Sequence, residues 1–306
     1  MRPKCVKMKR KERIIGCMLG GAAGDAFGYM ASEPGSKPQI TCATETALHI
    51  AESLISFDGH PVRSAVETAH KIIVHIKDIH GEWLETARKN GYRPRCVFTT
   101  VAPVTLFDHE GLVDAIQIAT FGGQIAKISH SLPDCFMSAT LFSFIMYHLA
   151  DETGTVSRQR LKTVINEGQK ILPHFLDYDL EKTYSEIYPE QVAGILKSID
   201  TAVKLSETDI TEDEALAGIG DGTTAGQILA IALYSCLKHH GKFAEAVSCA
   251  TRISGDRCCA GAVTGNIAGL LNGRKSIPEE WTAGMDSLER ILKVSENLFT
   301  LSFQIV

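Results

Sequence analysis

Along most of the chain, apolar residues return every three or four positions, the period that lays them on one side of an α-helix. Ile14–Met30 is built from Gly, Ala and larger apolar residues with a single charge, Asp25. Between Thr41 and Phe57, the residues Leu48, Ala51, Leu54 and Ile55 share one face, and Thr44 or Thr46 has the side chain to cap the helix they define. Arg63–Ile79 repeats the pattern with Ala65, Ala69, Ile72, Ile73 and Ile76. Gly111–His130, Phe136–Leu149, Ser157–Pro173, Glu190–Leu205, Ile228–Leu237, Phe243–Thr251 and Met285–Phe299 read as further helices, and Phe175–Pro189 as an irregular loop. Strand-like alternation is missing, and no repeat or linker divides the sequence. The expectation is an all-α fold: one compact multi-helix domain over residues 14–306, behind a basic lead-in at 1–13.

Composition changes this picture little. The chain has 306 residues, 44% hydrophobic and 22% charged, the balance of an ordinary globular protein. A net charge of -5 argues against nucleic acid as a partner. Arg2, Lys4, Lys7, Lys9, Arg10, Lys11 and Arg13 concentrate positive charge at the start, which reads as a solvated, frayed segment. Ile14–Ala23 is too short and glycine-rich for a membrane span, and Gly24-Asp25-Ala26 continues the helix where a signal peptide would be cleaved. Nine irregularly spaced cysteines predict reduced thiols and a cytoplasmic location. His60, His70, His75 and His80 suit no single ligand set and read as surface residues, and Trp83 to Tyr92 as a loop.

The chemistry gathers around Ile253–Gly273. Gly261, Gly265 and Gly269 recur every four residues on one helix face, and Asp256 stands in the first turn. A second helix of the same type carries Asp25, a carboxylate that needs a partner once buried.

These segments resemble the motifs of the ADP-ribosylglycohydrolase family. The family's opening G-x-x-x-G-x-A-x-G-D-A-x-G is matched by Gly16, Gly20, Ala22, Gly24, Asp25, Ala26 and Gly28. Its closing G-G-D-T-D-T frame is matched by Ser254 to Cys259, then Ala262, Gly265, Ala268, Gly269 and Gly273. Val101, Ala102, Pro103, Leu106 and Phe107 follow the end of its middle motif, and Ile277, Pro278 and Trp281 its final I-P-x-x-W. Ser129-His130 with Pro133 resembles its Thr-His-x-x-Pro, and Gly220-Asp221-Gly222-Thr223 loosely its Gly-Tyr turn. The segment before Leu54 resembles T-D-D-T-x-x-x-x-x-L-A-E-S-L, with Ala43, Thr44, Glu45 and Thr46 read at the quartet.

The resemblance implies hydrolysis of a glycosidic bond to ADP-ribose, assisted by two Mg²⁺ ions. It assigns Glu45 and Asp256 the catalytic positions, close together at one cleft. Thr44, Glu45, Asp256 and Cys258 fall at the metal positions. On the side of ADP-ribose, or of an ADP-ribosylated protein, it places Asp25, Arg95, Cys96, Ser129, His130 and Gly220. Asp25 would orient its neighbours, and the position of His130 at a helix end is that of a cap or a core hydrogen-bonder. The chemistry departs from the frame: Cys258 and Cys259 replace an aspartate and a threonine, Arg257 intrudes, and Pro94-Arg95-Cys96 replaces a glycine-asparagine-glycine turn. Magnesium wants hard oxygen donors, so the pair of ions looks incomplete and Glu45 with Asp256 would hold one weak ion at most. Three readings stay open. The chain is a degenerate member that binds ADP-ribose or a partner, a working hydrolase with an altered metal site, or a thiol or soft-metal site of Cys258, Cys259 and Cys96.

Overall fold

Helices α1 (Lys4–Ser32) and α13 (Arg257–Asn272) lie antiparallel against each other through the middle of the molecule, with the other helices around them. The computed structural model describes residues 4–57, 65–91, 95–106, 114–152, 154–177, 179–285 and 287–300. Between the central pair run α2 (Cys42–Ile55), α3 (Ala65–Lys89), α4 (Val97–Val101), α5 (Ala115–Ser129), α6 (Pro133–Ala150) and α7 (Arg158–Ile171). Then come α8 (Tyr184–Ile187), α9 (Pro189–Leu205), α10 (Glu212–Ile219), α11 (Ala225–Lys238) and α12 (Phe243–Ala250). After α13 follow α14 (Glu279–Thr282) and α15 (Leu288–Thr300). The all-α expectation holds; the one sheet among the described residues is a two-residue antiparallel pair, β1 (Leu176–Asp177) with β2 (Lys182–Thr183).

Glycine sets the central contact. Gly16, Gly20 and Gly24 of α1 face Gly269, Gly265 and Gly261 of α13, and a methyl group on any of the six would overlap the facing carbonyl oxygen. A helix-interior glycine costs about 0.5–1 kcal/mol relative to alanine, and here backbone-to-backbone approach offsets that cost. α13 is buried without a break from Cys259 to Leu271.

Four expectations change. First, α1 begins at Lys4 and runs straight through the basic lead-in. Arg10 and Arg13 are buried in it: Arg10 pairs with Asp151 and donates to the Leu106 carbonyl, and Arg13 donates to the Leu270 carbonyl at 2.7 Å. The buried Arg13 guanidinium is tolerated because its Nε, Nη1 and Nη2 all donate to backbone carbonyls. By length and composition Arg10–Ser32 would suffice to cross a membrane, and here it is the buried partner of α13.

Second, α2 is capped three residues before Thr44, the earlier of the two predicted caps. Thr41 is its cap, accepting from the Ala43 N–H at 3.1 Å, so the helix begins at Cys42. Third, α3 continues to Lys89 and carries Trp83, where the sequence predicts a loop. His80 follows Ile72 and Ile76 at intervals of four and is completely buried, not a surface residue. Its ring lies 5.4 Å from that of His49 and 5.2 Å from that of Trp83, and burial pushes its pKa down to about 3, so it is neutral. His75 bonds the Ser53 carbonyl, His70 is exposed, and His60 lies outside the described residues. Fourth, the thiols are not all reduced: Cys96 and Cys259 form a disulfide, with Cα atoms 5.2 Å apart.

Candidate functional site

The carboxylate of Asp25 organises the start of α2. It is completely buried on α1 and accepts four hydrogen bonds. The Thr41 hydroxyl donates to Oδ1 at 2.7 Å and the Thr41 N–H to Oδ2 at 2.8 Å. The Thr44 hydroxyl and N–H donate to Oδ2 at 2.6 and 3.2 Å. Burial raises the pKa of Asp25 to about 6 although these four donors pull it down. Asp25 thus seats two threonines, three residues apart, at the first turn of α2.

That pairing corrects the frame of the second motif. With five residues between the quartet and Ile50-Ala51-Glu52-Ser53-Leu54, T-D-D-T falls on Thr41-Cys42-Ala43-Thr44. The residues at the aspartate positions are therefore Cys42 and Ala43, not Thr44 and Glu45. Thr44 spends its hydroxyl on Asp25. Glu45 stands on the next stretch of α2, where Arg290 of α15 donates to it at 2.8 Å. The same guanidinium grips Glu52 through two further bonds of 2.8 Å, which hold the Glu52 pKa down and raise that of Arg290. Glu45 and Asp256 share no hydrogen-bond partner among the described residues.

α13 delivers the other half. Asp256 is its N-cap and accepts from the Cys259 N–H at 2.9 Å. Arg257 turns away from its neighbours: its Nε donates to the Ile253 carbonyl at 2.8 Å and its Nη1 to the Ala31 carbonyl, at the end of α1, at 2.5 Å. Cys258 is half-buried and its pKa is raised to about 12, by burial first and then by Asp25, Asp256 and Cys42, while Arg95 lowers it. Cys42 is raised chiefly by burial, and faces the Arg95 backbone, Asp25 and Asp256. Cys96, the N-cap of α4, is bonded to Cys259.

The first turns of α2 and α13 and the N-cap of α4 therefore meet at one junction, where Asp25, Thr44, Arg95, Cys96, Asp256 and Cys258 come together. The loop after α10 joins them. Gly220 closes that helix at a φ of 141°, and the Gly255 N–H donates to the Asp221 carbonyl at 2.9 Å. Ser129 and His130 stand at the other end of α5, where the Ser129 hydroxyl meets His130 Nδ1 at 2.8 Å and His130 acts on His80. Pro94 and Phe107 lie outside the described residues. Sequence reasoning missed Thr41, Cys42 and Arg290. Counting the motif back from Leu54 would have found the first two, and nothing local marks Arg290.

The donors at the junction are two half-buried thiols, a disulfide and one N-capping carboxylate. Their chemistry does not fit a pair of magnesium ions, which require about six oxygen ligands each.

A family model for the ADP-ribosylglycohydrolases matches residues 7–304. A solved structure titled "ADP-ribosylglycohydrolase-related protein complex" superposes with a TM-score of 0.63 at 17% identity, covering 96% of this chain and 99% of that one. No curated protein matches it by sequence.

Proposed function

The chain belongs to the ADP-ribosylglycohydrolase family, and from that premise we propose a degenerate member, one that holds ADP-ribose or an ADP-ribosylated protein and has lost magnesium-dependent hydrolysis. One observation carries the reading: at the corrected motif positions Cys42, Ala43 and Cys258 stand where the family has aspartates. Thiols are soft donors that suit zinc or copper, and alanine offers none. Asp256 is the one motif carboxylate left at the junction, because Asp25 is engaged by four donors and Glu45 by Arg290. No catalytic step through magnesium is derived for this donor set. Of the positions that the resemblance assigns to the ligand, two stay available beside it: exposed Arg95 offers a cation, and the loop after Gly220 packs on Gly255.

Calorimetry with ADP-ribose, with and without MgCl₂, tests this, alongside an assay for release of ADP-ribose from ADP-ribosyl-arginine. The expected result is binding that ignores MgCl₂, with no release. Magnesium-dependent release abolished by Asp256→Ala would overturn the reading in favour of an altered but working hydrolase. The converse experiment restores the donors: Cys42→Asp, Ala43→Asp, Arg257→Thr, Cys258→Asp and Cys259→Thr together should create magnesium binding where the parent has none.

A further inference from the structure

Away from the junction, three donors of different chemistry meet where α10, α11 and α12 come together. Glu212 is the first residue of α10, His239 closes α11, and Cys249 lies in the last turn of α12. A carboxylate oxygen, a ring nitrogen and the sulfur of these three all lie within 4.8 Å of one another. His239 Nε2 is 2.9 Å from Glu212 Oε1.

Hydrogen bonding alone accounts for a His–Glu pair at a helix start. The sulfur adds a softer donor to the pair, within hydrogen-bonding reach of the Ser235 and Glu212 side chains. Cys249 is 1% exposed, and its thiol is a weak donor set beside a carboxylate. A cation in that place would take over from the thiol proton, and one carboxylate with one thiolate would balance a divalent charge.

We propose that Glu212, His239 and Cys249 form a zinc site that ties α10, α11 and α12 together. The set of one oxygen, one nitrogen and one sulfur suits zinc and excludes magnesium. Zinc bonds of about 2.0–2.3 Å put tetrahedral donors roughly 3–4 Å apart, so the trio needs only a small contraction. The surroundings have the form of supporting contacts. Arg252 Nη1 donates to Glu212 Oε2 at 2.9 Å, which leaves Oε1 toward His239, and Arg252 Nη2 continues to Asp213. The backbone N–H of His239 donates to the Ser235 carbonyl at 3.0 Å, which closes α11 and sets where the residue stands. Glu212 and His239 keep 27% and 19% of their side chains exposed, so an ion has an entry path and water can take the fourth position.

The test uses the full chain, stripped with EDTA and titrated with ZnCl₂ by calorimetry and with CoCl₂ by absorption spectroscopy. One zinc per chain is expected, with a thiolate-to-cobalt charge-transfer band and a raised melting temperature. Cys249→Ser should remove the band and weaken zinc by more than the roughly 10- to 100-fold that a lost supporting contact costs. If that variant does not fold, Glu212→Gln at the helix start should produce the same loss of zinc. The double variant Cys42→Ser, Cys258→Ser should keep both band and affinity. A band that survives Cys249→Ser and disappears in the double variant would place the ion at the junction and overturn the proposal. So would a wild-type protein that shows neither zinc binding nor a thermal shift, since the trio would then be hydrogen-bonded only.

Discussion

Helix α13 belongs to two regions with different demands. From Gly261 onward it forms a seam with α1 in which three facing pairs of glycines bring backbone against backbone, and the Asn266 side chain donates to the Cys17 carbonyl at 2.9 Å. Four residues earlier, its first turn enters a junction of thiols, a disulfide and a buried carboxylate. The seam keeps the family's spacing in full, while the junction keeps the spacing and changes the residues. The difference separates what the fold needs from what the chemistry needs. A seam of glycines works only if none is replaced, whereas a helix start accepts Asp, Thr or Cys so long as its N–H groups find partners.

The largest effect should come from filling the seam. Gly265→Leu drives a side chain into the Gly20 carbonyl, an overlap that no rotamer relieves, and over-packing of this kind costs at least about 1–3 kcal/mol even in cores that can shift. We expect no folded protein by circular dichroism. Gly194→Ala in α9 is the control, because a methyl group there meets nothing within 4 Å. It should raise stability by about 0.5–1 kcal/mol in urea unfolding. If Gly265→Leu folds normally, the two helices do not approach as closely as described.

The next effect belongs to the junction. The Cys96–Cys259 bond spans 163 residues, and chain entropy alone would make its loss worth about 5 kcal/mol, an upper figure. Urea unfolding with and without dithiothreitol should show that loss, and Cys96→Ser should show it in both. Equal stability under both conditions would mean the junction is held without the bond, as the seam is.

How much of this was legible in the sequence follows the same division. The glycine period is local and regular, so the helices, their order and the all-α fold could be read directly. The buried face of α3 is readable too, but histidine is polar, and only its register after Ile72 and Ile76 marks His80 as buried. The junction was half legible. Its segments were identified, yet placing the cap at Thr44 or Thr46 shifted the motif and promoted Glu45 over Cys42. Only the tertiary bonds of Asp25 to Thr41 and Thr44 restore the frame. The pairing of Glu45 with Arg290 joins residues 245 apart, and no local pattern encodes that.

The last and smallest effect tests Asp25, which stands on the seam helix and holds the junction. Its folded pKa of about 6 lies above the ordinary carboxylate value of 3.8. A group raised in the folded state binds more protons folded than unfolded between those values, so its contribution is full at low pH and is lost as pH rises through the window. Two units amount to about 3 kcal/mol. His80 runs the other way, because its pKa of about 3 makes the folded protein lose stability as pH falls below 6.5. The two trends overlap in the wild type and must be separated by difference. Asp25→Asn removes the first and leaves the second. The stability of the wild type minus that of Asp25→Asn should fall by about 2 kcal/mol between pH 4 and 7, measured in urea at each pH. A flat or rising difference would mean that the four donors outweigh burial and that Asp25 remains ionised. The first turn of α2 would then rest on a permanent buried charge, and the junction would be as fixed electrostatically as the seam is sterically.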